Sequence, residues 1–347
     1  PTKFSGRLTL EGAPSTSIWE RIQQTVISLA LDYSFGPNSI ELTWAGVLTL
    51  IGQFAPQQKV LRFRFSPRDD EARKRIAAFV QQFKQVQLSK GSLKLTITKD
   101  EIEERLQAAG FTRKLKDFQL RDLQRLLSLE NGANFSVPGA GKTTVTLALH
   151  ILTRKPDQIF IVIGPKASFP AWREVVTDCI KPDAPDGNAE SFTILTTSGD
   201  ALRKALHSGA TRFVLSYDLM IQNADILTEF ASQNRVHLVL DEAHRMKAGF
   251  ASQRGSLLLN IAPLPIRRDI LTGTPMPQHP SDIQSQLDFL WPGAGLGLQI
   301  SRGTAPRQVL GELYVRTTKQ DLGLPKPHRH FLSVPMAEGQ MALYGIV

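Results

Sequence analysis

From residue 135 onward the chain repeats one pattern: a short, predominantly apolar run, then a helical stretch. The apolar runs fall at residues 159–163, 192–195, 213–215, 236–240 and 270–271, and helical segments at 143–153, 170–180, 201–207 and 226–231 lie between them. A strand with apolar side chains on both faces must be covered on both, and a helix between consecutive strands makes those strands parallel. The pattern therefore predicts an α/β fold, a parallel sheet flanked by helices. Sheets of this kind bind ligands at the carboxyl ends of their strands.

Residues 1–110 read differently, as a small α/β unit. Strands are expected at 4–10, 40–44, 60–65 and 93–98, the third on the alternation of Val60, Phe63 and Phe65 with Arg62 and Arg64. Helices are expected at 17–31, from an Asp69 cap to about Val86, and from Thr98 to Gly110, where Glu101 completes a capping box. Residues 111–135 form a basic amphipathic stretch around Leu115, Phe118, Leu123 and Leu126. The division expected is thus 1–110 and 111–347. The net charge is +9, and residues 1–118 carry 18 Lys and Arg against 12 Asp and Glu, so most of the excess sits near the start. Arg62, Arg64, Arg68, Arg73, Lys74 and Arg75, with Arg113, Lys114 and Lys116 beyond them, read either as a docking face for DNA or a partner, or as a solvated face.

The single cysteine, Cys179, excludes an intrachain disulfide and a cysteine zinc cluster, reads as a buried, inert thiol, and fits a reducing cytoplasmic setting. The longest apolar run, 45–54, falls short of the ~20 residues a membrane helix needs. No signal pattern opens the chain, and a start at Pro1 rather than Met suggests a start that was processed or cut. His207, His237, His279, His328 and His330 show no metal-ligand spacing.

Three motifs carry chemistry. VPGAGKTT, residues 137–144, opens the helix at 143–153. Pro138, Gly139, Ala140 and Gly141 form a turn whose N–H groups can approach phosphates; Lys142 can reach the outer phosphates, the Thr143 hydroxyl can ligate magnesium, and Thr144 follows in the first helical turn. The strict pattern has Gly where this chain has Ser136. VHLVLDEAHRMK, residues 236–247, delivers two adjacent carboxylates at a strand end. Asp241 would hold magnesium through water and Glu242 would polarise an attacking water. ILTGTP, residues 270–275, places the Thr272 and Thr274 hydroxyls at the same sheet edge.

The order GAGKT, DEAH, LTGTP resembles the superfamily 2 helicases, and the flanks DEAHRMK and LTGTPMPQHPSDIQSQLDFLWPG resemble their Swi/Snf branch, which also lacks Gly at the place of Ser136. The resemblance covers roughly residues 112–347 and implies a RecA-like ATP-binding lobe that uses ATP and Mg2+ on double-stranded DNA. KDFQLRDLQRLL resembles the adenine-recognising segment and nominates Gln119. VIGPKASFPAWREV resembles motif Ia and nominates Lys166 and Ser168 for DNA; Trp172 within it reads as a packing residue. FVLSYDLM resembles motif Ib and nominates Ser216 and Tyr217, the tyrosine equally readable as packing. The place of His244 in DEAH implies a relay between the ATP site and Thr272 and Thr274. YVRTTKQDLGLPKPHRHFLSVPM resembles the run that closes the first lobe.

In this branch a second RecA-like lobe carries the arginines that complete the ATP site, and such arginines supply several orders of magnitude in rate. The sequence stops at Val347, before any such motif, so the expectation is a fragment of a longer protein that binds Mg-ATP weakly and hydrolyses it poorly. The pairing of ANFSVPGAGKT with a small N-terminal α/β unit resembles the Swi/Snf helicases of bacterial anti-phage systems such as Zorya, which implies defence-system partner proteins. Two other classes stay open: a nucleotide-dependent scaffold or sensor, and the motor of a helicase–nuclease, although no nuclease constellation stands within these residues.

Overall fold

The computed structural model describes residues 5–12, 16–28, 33–324, 330–332, 335 and 337. Phe4, Leu29, His328 and much of the run after Leu324, including the end of the lobe-closing segment, lie outside them.

The chain opens with strand β1 (Ser5–Thr9), helix α1 (Thr16–Ser28), strands β2 (Tyr33–Gly36) and β3 (Ser39–Thr43), and helix α2 (Trp44–Phe54). The strands pair antiparallel in the order β1-β3-β2. The apolar run at 45–54 is α2, capped by the Thr43 hydroxyl and buried along most of its length. The expected strand at 60–65 does not form. A single helical turn, α3 (Gln58–Leu61), stops at Arg62 in the left-handed region, and the Gln58 side chain accepts from the Phe65 N–H at 2.9 Å. Phe63 and Phe65 still pack on the core of this unit, so the alternation reports burial without a partner strand.

Helix α4 (Asp70–Gly91), capped by Asp69, buries Phe79 in that first core and Val86 in the core of the large sheet. The expected strand at 93–98 is also absent, because its backbone bonds go to side chains of the next helical layer: Thr96 N–H to Ser128 Oγ at 3.1 Å, and Ile97 carbonyl from Gln124 Nε2 at 2.8 Å. Helix α5 (Lys99–Ala108) carries the Thr98–Glu101 capping box, and its Ile102 and Leu106 are buried with the residues of α6 (Asp117–Leu127) and α7 (Lys142–Thr153). By packing, α5 joins the large unit, although it precedes Gly110.

Between α6 and α7 runs β4 (Gly132–Asn134). Next come β5 (Gln158–Gly164), α8 (Phe169–Cys179), β6 (Thr193–Ile194), α9 (Asp200–Leu206), β7 (Arg212–Ser216), α10 (Tyr217–Gln222), α11 (Ala224–Gln233), β8 (Arg235–Asp241), α12 (Gln253–Ile261) and β9 (Arg267–Leu271). The chain then forms α13 (Gln284–Leu290), α14 (Leu296–Ser301), α15 (Pro306–Leu310) and β10 (Tyr314–Val315). The seven strands are parallel, in the order β10-β4-β9-β8-β5-β7-β6. Two apolar cores cover the two faces, as strands apolar on both sides require. The fold class read from the sequence is the fold observed. Strand β9 begins three residues before the expected 270–271, because Arg267, Arg268 and Asp269 are buried charged residues: Arg267 and Asp269 pair with each other, and Arg268 donates to backbone carbonyls. Phe83 and Phe250 touch the N-terminal core as well as the large one. No helix among the described residues is long and apolar enough to cross a membrane.

Candidate functional site

The carboxyl ends of β4, β8 and β9 lie side by side, with Asn134 and Asp241 each opposite Leu271 in register. Beyond β4 the chain turns through Gly139 and Gly141, both at positive φ (82° and 79°), and enters α7 at Lys142. A side chain at Gly139 would meet nothing within 4 Å, so the space above this turn is open. The first N–H groups of α7 point the same way, as at any helix start, and favour an anion there.

Lys142 folds back onto its own loop and donates to the carbonyls of Ser136 at 3.0 Å and Val137 at 3.4 Å. Burial pulls its pKa below the ordinary lysine value, while Glu242 and Asp241 pull it back up. Gln119, on α6, donates from Nε2 to the carbonyl of Ala140 at 3.1 Å and accepts from the Lys116 N–H at 3.0 Å, which fixes its amide beside the loop. Thr143 is partly exposed at the loop, whereas Thr144 is buried with its hydroxyl toward the thiol of Cys179. Cys179 is buried, as expected, and burial pushes its thiol pKa up.

Asp241 ends β8. Its Oδ2 accepts from the indole N–H of Trp172 at 3.0 Å, and its carbonyl accepts from the Tyr217 hydroxyl at 2.8 Å. Glu242 follows in the left-handed region at φ 52°, a strained position for a residue with a side chain. That turn brings Glu242 Oε2 to 3.3 Å from His244 Nδ1 and 3.4 Å from Thr272 Oγ1. His244 Nδ1 lies 3.0 Å from Thr272 Oγ1 and 3.4 Å from Thr274 Oγ1, so the histidine bridges the carboxylate and the two threonines.

No cluster of three or more His, Cys, Asp or Glu able to hold a metal stands among the described residues. The donors present fit magnesium shared with a phosphate, an ion that takes one or two protein oxygens and keeps waters. Thr143 and Asp241 would supply oxygens of that kind.

The residues nominated for DNA divide by exposure. Lys166 is exposed after β5, Ser168 is partly exposed with its hydroxyl on the Pro165 carbonyl, and Thr274 is exposed. Ser216 and Thr272 are buried; Ser216 caps α10 through the Leu219 N–H at 3.1 Å. Tyr217 is buried with its hydroxyl committed to Asp241, so its side chain is not presented to a ligand outside the lobe. In the basic run of the N-terminal unit, Arg68 pairs with Glu11, Arg73 with Asp70, and Arg75 with Glu71 while lying over Trp44.

The sequence reading did not find the support under the loop. Ser136 Oγ donates to Asp122 Oδ2 at 3.3 Å and accepts from the Thr317 N–H at 2.8 Å, and Thr317 Oγ1 donates to the same carboxylate oxygen at 2.7 Å. Ser136 thus ties the loop to α6 and to the segment after β10. The serine at a glycine position was the one visible signal.

Residues 118–296, just over half of the chain, match the SNF2-related domain family. The chromatin structure-remodeling complex subunit snf21 of Schizosaccharomyces pombe is 29% identical over 191 residues, which cover 52% of this chain and 15% of that protein. The transcription regulatory protein SNF2 of Saccharomyces cerevisiae is 29% identical over 186 residues, 51% of this chain and 10% of that protein. The chain therefore spans a small part of the length of the curated relatives it matches. Among solved structures, the Sulfolobus solfataricus SWI2/SNF2 ATPase core domain aligns with a TM-score of 0.47 at 18% identity, over 64% of this chain and 48% of that one. With the family matched across most of the large sheet and its three strand-end motifs, this chain belongs to the SNF2-related domain family.

Proposed function

We propose that the chain is the ATP-binding first lobe of a DNA translocase that moves along double-stranded DNA. One observation carries this reading: Lys142, Thr143, Asp241, Glu242 and the His244–Thr272 pair, contributed by three separate strand ends, stand at one edge of one sheet. Lys142 exchanges the Ser136 and Val137 carbonyls for phosphate oxygens. Thr143 and Asp241 are the residues that would hold Mg2+, which when bound neutralises charge on the phosphoryl group in transfer. Glu242 orients the attacking water, and His244 ties that carboxylate to Thr272 and Thr274. Gln119, fixed beside the loop, selects adenine. Exposed Lys166 and Thr274, with Ser168, form the DNA-facing edge.

Hydrolysis and stepping need a second RecA-like lobe with its arginines, in a longer parent protein; the far greater length of the curated relatives supports this. A role in bacterial anti-phage defence rests only on the resemblance carried by residues 133–143 together with the small N-terminal α/β unit.

The test is Mg-ATP hydrolysis, with and without duplex DNA, by the chain, by Lys142→Ala, and by the chain joined to a second lobe. Turnover is expected only in the joined protein, stimulated by DNA and lost with Lys142→Ala. Turnover by the short chain that ignores DNA would replace this reading with a nucleotide-dependent scaffold or sensor. Shortening of the DNA would point to a helicase–nuclease.

A further inference from the structure

Two aromatic side chains from two different helices converge on Asp241 from inside the lobe. Trp172, on α8, is fully buried and packs edge-on against Phe160 and Phe192. Its ring alone would fill that space, but its indole N–H is aimed at the Asp241 carboxylate, 3.0 Å from Oδ2. Among the described residues it is the sole hydrogen-bond donor to that carboxylate. Tyr217, the first residue of α10, is equally buried, and its hydroxyl reaches the Asp241 carbonyl at 2.8 Å. Arg254 of α12 lies over the Tyr217 ring at 5.2 Å.

The two contacts fix different things. The indole sets the rotation of the carboxylate, leaving Oδ1 without a donor among the described residues. The tyrosine fixes the peptide between Asp241 and Glu242, immediately before the left-handed turn at Glu242. Together they set where one carboxylate points and how the next leaves the strand. Partners that orient a metal ligand from behind raise metal affinity without touching the ion.

We infer that Trp172 and Tyr217 are positioning residues for Asp241, and that this pair sets the magnesium requirement of nucleotide binding. The inference rests on the proposed ATP site. Trp172 stands on the helix that follows Lys166 and Ser168, and Tyr217 directly follows Ser216, so each of the two segments nominated for DNA delivers one of the donors.

The experiment follows fluorescent N-methylanthraniloyl-ADP binding to the 347-residue chain as MgCl2 is added, and repeats it in EDTA. Trp172→Phe and Tyr217→Phe should each raise the Mg2+ needed for half-maximal tight binding about tenfold, with the EDTA affinity unchanged. Affinity that falls equally in both conditions marks a merely structural role and overturns the inference, as does an unchanged Mg2+ titration. Should Trp172→Phe fail to fold, Tyr217→Phe, which removes a single oxygen, decides alone. Asp241→Asn separates the two levels. If it raises the Mg2+ requirement and the aromatic variants do not, only this inference falls. If it has no effect, or if the wild-type chain binds no nucleotide, the ATP-site reading falls and takes the inference with it.

Discussion

His150 of α7 and His237 of β8 meet Nδ1 to Nδ1 at 3.1 Å, wholly buried between that helix and the sheet. His237 continues through Nε2 to Asp269 at 2.8 Å, and Arg267 holds the same carboxylate oxygen at 2.6 Å. Only one proton fits between the two Nδ1 atoms, so a charged pair would repel. Burial pushes His150 well below its ordinary value of 6.5, with His237, Arg212, Arg154 and Arg267 adding to the effect. Burial also pushes His237 down, opposed by Asp269 and aided by Arg267. Burial alone would raise Asp269, but Arg267 and His237 outweigh it and hold that carboxylate below its usual range.

Both histidines are therefore neutral in the folded chain, while the unfolded chain takes up protons near 6.5. Their contribution to stability is complete above that pH and is lost as the pH falls below it, by at most about 1.4 kcal/mol per pH unit for each. Thermal unfolding followed from about pH 7.5 to about pH 5.5 should show the decline, and His150→Phe should flatten it. A wild-type melting temperature that stays level over this interval would show that the pair is not held neutral.

Ser136→Gly restores the strict phosphate-loop pattern, yet it should destabilise the lobe. The substitution removes a donor to Asp122 and the acceptor of the Thr317 N–H, both buried. Asp122 Oδ2 keeps the Thr317 hydroxyl, but leaving the buried Thr317 N–H unpaired costs about 1–3 kcal/mol, to be read from denaturant unfolding. Equal or greater stability in the glycine variant would mean the clamp contributes nothing.

Gly141 and Gly139 share the left-handed backbone but not the same surroundings. An alanine at either is strained by about 1–2 kcal/mol. At Gly139 the new methyl meets nothing within 4 Å, whereas at Gly141 it runs into Gln119 Nε2. The glutamine is long enough to swing aside, so Gly141→Ala should release it from Ala140 and mimic Gln119→Ala in nucleotide binding. The double variant should then lose less affinity than the sum of the two losses, because both act on one contact. Strict additivity in calorimetric titration would separate them.

Thr272→Val keeps the shape of a buried residue and removes the hydroxyl shared by His244 and Glu242. In the chain joined to a second lobe, ATP turnover should fall about tenfold or more, the scale of one hydrogen bond to a charged group, while nucleotide affinity holds. Loss of affinity with unchanged turnover would place Thr272 in binding instead.

The parallel sheet and its three strand-end motifs were legible because each is written locally, as an apolar run ending in residues whose chemistry suits a strand end. The segments at 60–65 and 93–98 misled because alternation records which side chains are buried, not whether a neighbouring strand exists. Phe65 and Thr96 bond to the side chains of Gln58 and Ser128 instead. The charged start of β9 was hidden for the converse reason, since Arg267 and Arg268 are satisfied by groups distant in sequence, such as the Leu129 and Leu290 carbonyls. Ser216 and Tyr217 were picked out by motif likeness, which locates a segment but not the direction of its side chains. The basic run around Arg73 and Arg75 lies three and four residues from its partners Asp70 and Glu71, spacing that is visible in the sequence and lowers the charge this face presents.

Strand β4 is the first of the large sheet along the chain, but its neighbours there are β9 and β10, the last two. The phosphate turn is consequently made early and assembled late. On a ribosome adding about 5–20 residues per second, roughly ten to forty seconds separate Asn134 from Val315. During that time Lys142 has no finished cradle, and nucleotide in the cell has nothing complete to bind. Non-local parallel pairing is slow in any case, because the chain entropy of closure is lost before contacts repay it. If the proposed ATP site is right, ATP is a ligand of the finished lobe and not a guide to its making, and partial chains that end before β10 are open to quality control whatever the nucleotide concentration.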